Sequence, residues 1–178
     1  MSDQVVSDLV KGAAAGDQRA WDQLVERYAG LLWSITRCHG LPDAEADDVH
    51  QTTWLRLVER LETLRDPARV GAWLATTARR ESLRQLSRRA REVPGIAHDR
   101  PEPPGLPAAE ERHRSLYAAL TALPGRCGRL LRLLAATPPA SYVEISAALG
   151  MPIGSIGPTR ARCLGHLRKS LAPRGATT

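Results

Sequence analysis

The chain has 178 residues, room for one ordinary domain or two small ones. It carries 25 Lys and Arg against 19 Asp and Glu, a formal net charge of +6, which favours an acidic partner such as nucleic acid or an anionic surface. No apolar run reaches the roughly 18 residues of a membrane span, and the first residues lack the charged start and apolar core of a secretory leader. The expectation is a cytoplasmic chain with no membrane insertion.

Asp17 has the chemistry of an N-cap. Behind it Trp21, Leu24, Val25, Tyr28, Leu31, Leu32 and Ile35 recur at helical spacing and predict a long amphipathic helix, which Gly40-Leu41-Pro42 stops. Asp43 is read as the cap of the next helix. Its inner side is Ala46, Val49, Thr53, Leu57 and Leu61, widened by Trp54 and Leu64, and Asp47, Asp48, Gln51 and Glu59 lie outside it. After the break at Asp66-Pro67, Val70, Trp73, Leu74 and Thr77 open a third helix that runs into the Arg cluster. β-branched and polar residues never alternate over a strand length, so no sheet is expected.

Residues 91–107 contain five prolines and two glycines, a composition that resists helix and packs poorly. They are read as a flexible linker between two small all-α domains, 1–90 and 108–172, with 173–178 as a disordered tail. In the second domain Leu116, Ala119, Leu120 and Leu123 predict one short helix, and Leu130, Leu131, Leu133 and Leu134 another. Tyr142 to Leu149, Gly150 as a turn and a basic helix from Ser155 complete a helix-turn-helix.

Charge is sorted along the chain. Residues 1–70 hold 8 basic and 12 acidic residues; 79–91 hold six Arg and one Glu; 158–178 hold five basic residues and no acid. Lys11 and Lys169 are the only lysines, so codon usage accounts for some of the arginine, but not for its sorting. Two kinds of partner are implied. In the last helix Ser155, Pro158, Thr159, Arg162 and His166 share one face, and Ile156, Cys163, Leu164, Leu167 and Leu171 the other. Gly157 and Pro158 keep its start slim, as a recognition helix pressed into a major groove requires. Arg162 has the reach for a bidentate contact to guanine. Arg160 falls on the inward arc and either pairs with Glu144 or leans out along its stem.

Cys38, Cys127 and Cys163 show neither CxxC nor zinc spacing and are expected as reduced thiols. Asp47, Asp48 and His50 are close on one helix, but no second helix offers matching ligands, so neither metal nor cofactor is expected. The five histidines are scattered, no nucleophile motif is present, and no enzymatic role or small-molecule substrate is expected.

Four stretches together resemble a known family: DQLVERYAGLL, EADDVHQTTWLRL, WLATTARRESLRQ and YVEISAALGMPIGSIGPTRARCLGHLRKSL, in this order and split by the linker. The resemblance is to the extracytoplasmic-function (ECF) group of bacterial RNA polymerase sigma factors. It implies promoter-specific transcription initiation. Asp47, Asp48 and Gln51 are then the surface that docks on the clamp helices of the largest subunit of core RNA polymerase, although acids near a helix start also serve the dipole. Trp73, Arg79, Arg80, Arg84 and Arg88 become the −10 DNA contacts, with Trp73 open to both core and base-stacking roles. Ser155, Gly157, Pro158, Thr159, Arg160, Arg162 and His166 become the −35 contacts, and an anti-sigma factor is a typical partner of the group.

The chain departs from the family pattern in places. Ala78-Arg79-Arg80 stands for Ala-Arg-Asn, Arg84 holds an acidic place, Thr52 replaces a frequent acid, and Trp54 and Val70 stand where Phe is frequent. A stand-alone helix-turn-helix regulator is the alternative reading; it leaves the acidic helix and the Arg-rich third helix without a task.

Overall fold

The Asp17 carboxylate accepts from the backbone N–H groups of Arg19 at 2.9 Å and Ala20 at 3.4 Å, and a helix starts there as its sequence requires. The computed structural model describes residues 3–92, 118–120, 122–136 and 139–171, and among them every regular element is helical. The longer helices are α1 (Asp3–Ala14), α2 (Gln18–His39), α3 (Asp43–Val58), α4 (Val70–Glu92), α5 (Gly125–Leu134), α6 (Tyr142–Leu149) and α7 (Ile153–Leu171). Single 3₁₀ turns at Leu61–Thr63 and Pro67–Arg69 join α3 to α4.

The predicted boundaries of α2 hold at both ends, with Gly40 in the left-handed region (φ 74°) closing it. Asp43 is not a cap: it is the first helical residue of α3, and its carboxylate pairs with Arg37 at 2.8 Å. α3 ends at Val58 rather than running to Leu64. α1 was not anticipated; it buries Val6 and Val10 and packs along α2. The first helical unit closes around Leu24, Leu32 and Ile35 of α2, Val49 and Leu57 of α3, and Leu74 and Ala78 of α4. The buried carboxylate of Glu81 ties α4 to α3 through Arg56 at 2.7 Å.

The second unit packs α5, α6 and α7 around Leu130, Leu133, Ile145, Ala148, Ile156 and Cys163. Ser141 and Glu144 form a reciprocal capping box on α6: the Ser141 N–H donates to Glu144 Oε2 at 2.7 Å. Glu144 therefore turns back on its own helix and does not take Arg160, which is exposed to solvent. The expectation of three reduced thiols is corrected: Cys127 and Cys163 form a disulfide between α5 and α7, across a separation of 36 residues.

The two units are in contact. α4 packs on α6, α2 packs on α5, and their buried side chains form one continuous apolar cluster. At the crossing, Gly71 leaves no room for a side chain: a Cβ there would collide with Glu144 Oε1 and lie 2.8 Å from Tyr28 Cε1. Gly150, at φ 61°, sits under the Arg79 guanidinium, 2.7 Å from Nη2 to where its Cβ would be. The Cys38 thiol donates to the Arg129 carbonyl at 3.5 Å across the same seam. Burial pushes this thiol up to about 12, against the smaller pull of Arg132 and Arg129. Arg91 and Glu92 belong to α4; the rest of the expected linker, residues 108–117 and the tail 173–178 lie outside the described residues.

Two histidines inside this fold make stability pH-dependent. Burial lowers His39 and His50 from their ordinary value of 6.5; hydrogen bonds to the backbone of Ile35 and Leu32 oppose it, Arg129 and Arg79 reinforce it at His39, and Asp47 opposes it at His50. The unfolded chain therefore binds more protons below about pH 6.5, and stability falls as pH drops from there through the folded-state values. The urea midpoint should decline between pH 7 and pH 5, and a His39→Gln/His50→Gln variant should show a shallower decline over that window.

Candidate protein and nucleic-acid interfaces

Asp43 and Glu45 occupy the first turn of α3 and are engaged by Arg37 at 2.8 Å and Arg89 at 3.8 Å. Asp47 and Asp48 lie one turn further on, where the dipole effect has fallen off. Both are exposed, and neither is in a salt bridge among the described residues. With Gln51 they begin a stripe that continues through Leu55 and Val58, which are 57% and 53% exposed. The opposite side of α3 is buried through Ala46, Val49, Thr53 and Leu57. The sequence reading missed Leu55 and Val58, although they follow Gln51 at the helical offsets i+4 and i+7. The result is an acidic and apolar face on a helix anchored by Arg56–Glu81 and by the edge-on Trp21–Trp54 pair, 5.7 Å between centroids. Beside it, Trp33 meets His50 edge-on at 4.8 Å and carries Arg37 at 5.1 Å over its ring.

Around the end of α3 from this face, the two 3₁₀ turns and the start of α4 enclose a cavity of about 530 Å³. Its lining includes Arg60, Thr63, Arg65, Asp66, Arg69, Trp73, Thr76 and Arg80. A smaller hollow of about 360 Å³ shares Arg60, Trp73, Thr77 and Arg80 with it. Trp73 is half-buried, packed on the core and forming a wall of both hollows. From it a stripe runs along α4 at i+4, i+7, i+11 and i+15: Thr77, Arg80, Arg84 and Arg88, the three arginines exposed. Arg84 leans on Glu81 at 3.6 Å. Arg79 is elsewhere: it is half-buried and turned to Gly150 of the second unit. Arg79 thus stands apart from the other arginines expected with it, and Arg60, Arg65 and Arg69 line the cavity from turns and helix ends that local periodicity does not mark.

In the helix-turn-helix, Gly150 makes the left-handed turn and Ser146 Oγ donates to the Met151 carbonyl at 2.7 Å, fixing the angle between α6 and α7. Ser155 is not the N-cap. α7 begins at Ile153, and the Ser155 hydroxyl donates to the Pro152 carbonyl at 2.7 Å. Pro158 consequently lies inside the helix, where it offers no N–H to the Gly154 carbonyl. Ile156 and Cys163 are buried and Ser155 and Thr159 half-buried, whereas Gly154, Gly157, Pro158, Arg160, Ala161, Arg162 and His166 are exposed. Nothing lies within 4 Å of a Cβ built at Gly154 or Gly157. The outward face is thus a bare ridge of Gly, Pro and Ala flanked by Arg160 and Arg162, rotated somewhat from the predicted one.

Among the described residues no group of three or more His, Cys, Asp or Glu could hold a metal ion, and no helix is long and apolar enough to cross a membrane.

Residues 24–92, which hold most of α2 and all of α3 and α4 with the acidic stripe and the cavity, match the sigma-70 region 2 family. The RNA polymerase sigma factor CnrH of Cupriavidus metallidurans is 31% identical over 174 residues, covering 86% of this chain and 90% of that protein. The ECF RNA polymerase sigma-E factor of Escherichia coli K12 is 24% identical over 172 residues, covering 88% and 89%. The structure of CnrH in complex with the cytosolic domain of CnrY superposes with a TM-score of 0.64 at 25% identity, covering 96% of this chain and 99% of that one. The sigma factor RpoE of Bartonella quintana, in complex with the anti-sigma factor NepR, shares the fold at a TM-score of 0.66 and 20% identity, covering 87% and 98%. An all-helical chain with this element order, matched along nearly its whole length by CnrH, belongs to the extracytoplasmic-function group of bacterial RNA polymerase sigma factors.

Proposed function

We propose that this chain works in the cytoplasm as a non-catalytic specificity subunit. The stripe Asp47, Asp48, Gln51, Leu55 and Val58 docks on the clamp helices of core RNA polymerase. The cavity beside Trp73 takes an unstacked base of the −10 strand, and Arg80, Arg84 and Arg88 track that strand's phosphates. α7 enters the −35 major groove with its bare ridge foremost, and Arg162 contacts a base edge. An anti-sigma factor is the inhibitory partner proposed on the resemblance to the group. The carrying observation is the Trp73 cavity: about 530 Å³, opening onto a basic stripe. An aromatic wall beside a cationic track is what capture of single-stranded nucleic acid requires, and its size falls in the roughly 300–1,000 Å³ range of ligand pockets.

Elements about 25 base pairs apart lie about 85 Å apart along B-DNA at 3.4 Å per step. A compact chain of this length has a radius of gyration of about 16 Å. The two helical units therefore separate on a promoter, each acting as its own domain, and the segment between them sets their reach and supplies avidity.

The test is assembly with core polymerase followed by transcription from a promoter library. Co-migration and selective initiation are the expected results; binding to a palindromic duplex without polymerase would instead make the chain a stand-alone regulator. Trp73→Ala should weaken binding of the unpaired −10 strand about 5- to 150-fold, the loss of one base stack at about 1–3 kcal/mol. A fluorescence titration with a single-stranded oligonucleotide on holoenzyme reads this directly.

A further inference from the structure

We propose that Cys127 and Cys163 are a reversible thiol–disulfide site that gates the −35-reading unit, formed by a peroxide and reopened by a dithiol. The proposal rests on the reading of α7 as the −35 helix. The bond joins α5 to α7, and it lies at the centre of the second unit: Cys163 is fully buried beside Ile156 on the inner face of α7. The Cα atoms are 5.2 Å apart, within the ordinary spacing for a disulfide, so no backbone movement is needed to make it.

The two sulfurs have different surroundings. Cys127 is the third residue of α5 and only half-buried, adjacent to Arg126. Cys127 is therefore the sulfur of the pair that a small oxidant in solvent can reach. Cys163 is shielded from solvent and reaches only its partner. The Cys127 thiol gives up its proton and its sulfur attacks one peroxide oxygen, breaking the O–O bond; the departing hydroxide takes up that released proton and leaves as water. The resulting sulfenic acid is attacked by the Cys163 sulfur, the S–S bond forms, and a second water leaves. In sum, two thiols are oxidised and one hydrogen peroxide is reduced to two waters. Exchange with a dithiol, itself oxidised to a disulfide, restores both thiols. Cys38 takes no part: it is buried in the seam with its thiol donating to the Arg129 carbonyl, away from both.

The clip acts on a unit that needs it. Residues 118–171 are roughly 55 in number, a size at which a single core is marginal. In the closed arrangement α5 and α6 also lean on α2 and α4. On a promoter that support is gone, and the unit stands on its own few buried side chains and on the α5–α7 bond. A cross-link spanning 36 residues removes substantial freedom from the unfolded chain. Oxidised, α7 is held at the angle the groove requires; reduced, it loosens, and −35-dependent initiation falls in a reducing cytosol.

The experiment uses the full chain, with hydrogen peroxide as oxidant and dithiothreitol as reductant. Alkylation and intact mass should find one free thiol after peroxide and three after reduction. Hydrogen exchange of α7 amides should speed up at least tenfold on reduction and recover on reoxidation. In holoenzyme, transcripts from a −35-dependent promoter should fall at least tenfold on reduction, while core association stays unchanged. Cys127→Ser should stay at the reduced level at either poise, and Cys38→Ala should switch as the native chain does. Because the native chain is cycled chemically, a variant that misfolds does not decide the outcome. Three free thiols after peroxide, or equal α7 exchange in both states, overturns the proposal. Switching exchange with no initiation at either poise overturns the −35 reading on which it rests.

Discussion

Asp48→Arg should leave the fold intact and reduce association with core polymerase at least 100-fold. The side chain is exposed, in no salt bridge among the described residues, and a turn past the helix start, so its loss should change the unfolding free energy by no more than about 0.5 kcal/mol. At a complementary interface, a reversed charge costs several kcal/mol through repulsion and desolvation. Leu55→Asp provides the independent check. Leu55 is 57% exposed, its packing within the chain is slight, and an apolar anchor at the centre of an interface carries about 2 kcal/mol or more. Both variants should show native circular dichroism and fail to co-migrate with core polymerase. Native-like binding by both would move the docking surface off α3.

Gly157→Leu should separate folding from reading in the opposite sense. A Cβ at Gly157 meets nothing within 4 Å, and a good helix former in place of glycine favours an exposed helix by up to about 1 kcal/mol. The isolated protein should therefore melt slightly higher. On a −35 duplex the leucine stands between the helix backbone and the base edges, and affinity should fall at least 100-fold, read by footprinting of holoenzyme. Gly150 gives the contrast. It adopts φ 61° beneath Arg79, so substitution there strains the fold itself and would lower stability and DNA binding together. A Gly157→Leu variant that binds duplex as tightly as the native chain would shift the reading face towards Arg162 and His166.

The parts of this fold written in the sequence are those with local chemistry. Asp17 and Gly40 bracket α2 because a carboxylate and a left-handed glycine satisfy helix ends wherever they occur. Val70 to Thr77 carry a spacing that only a helix makes one-sided, and Ser141 with Glu144 marks the start of α6. The misses have physical causes too. Ser155 has the chemistry of a cap, but the helix begins two residues earlier, at Ile153, and the Ser155 hydroxyl donates to the Pro152 carbonyl. α1 carries Val6, Leu9, Val10 and Ala13 at helical spacing, a pattern of two turns that is short for a helix. Arg60, Arg65 and Arg69 converge on the cavity from turns that have no period. The Cys127–Cys163 bond and the Arg79–Gly150 contact join residues tens of positions apart, and separations of that kind leave no mark on local spacing. The candidate site was thus legible as a set of surfaces, and its inner geometry was not.

The continuous cluster that runs from Leu24 and Leu74 to Leu133 and Ile145 also links the two halves under mutation. A cavity made at Leu133 in the second unit should therefore lower the melting of α4 in the first, so that a substitution in either unit reads out as a change in abundance of the whole protein.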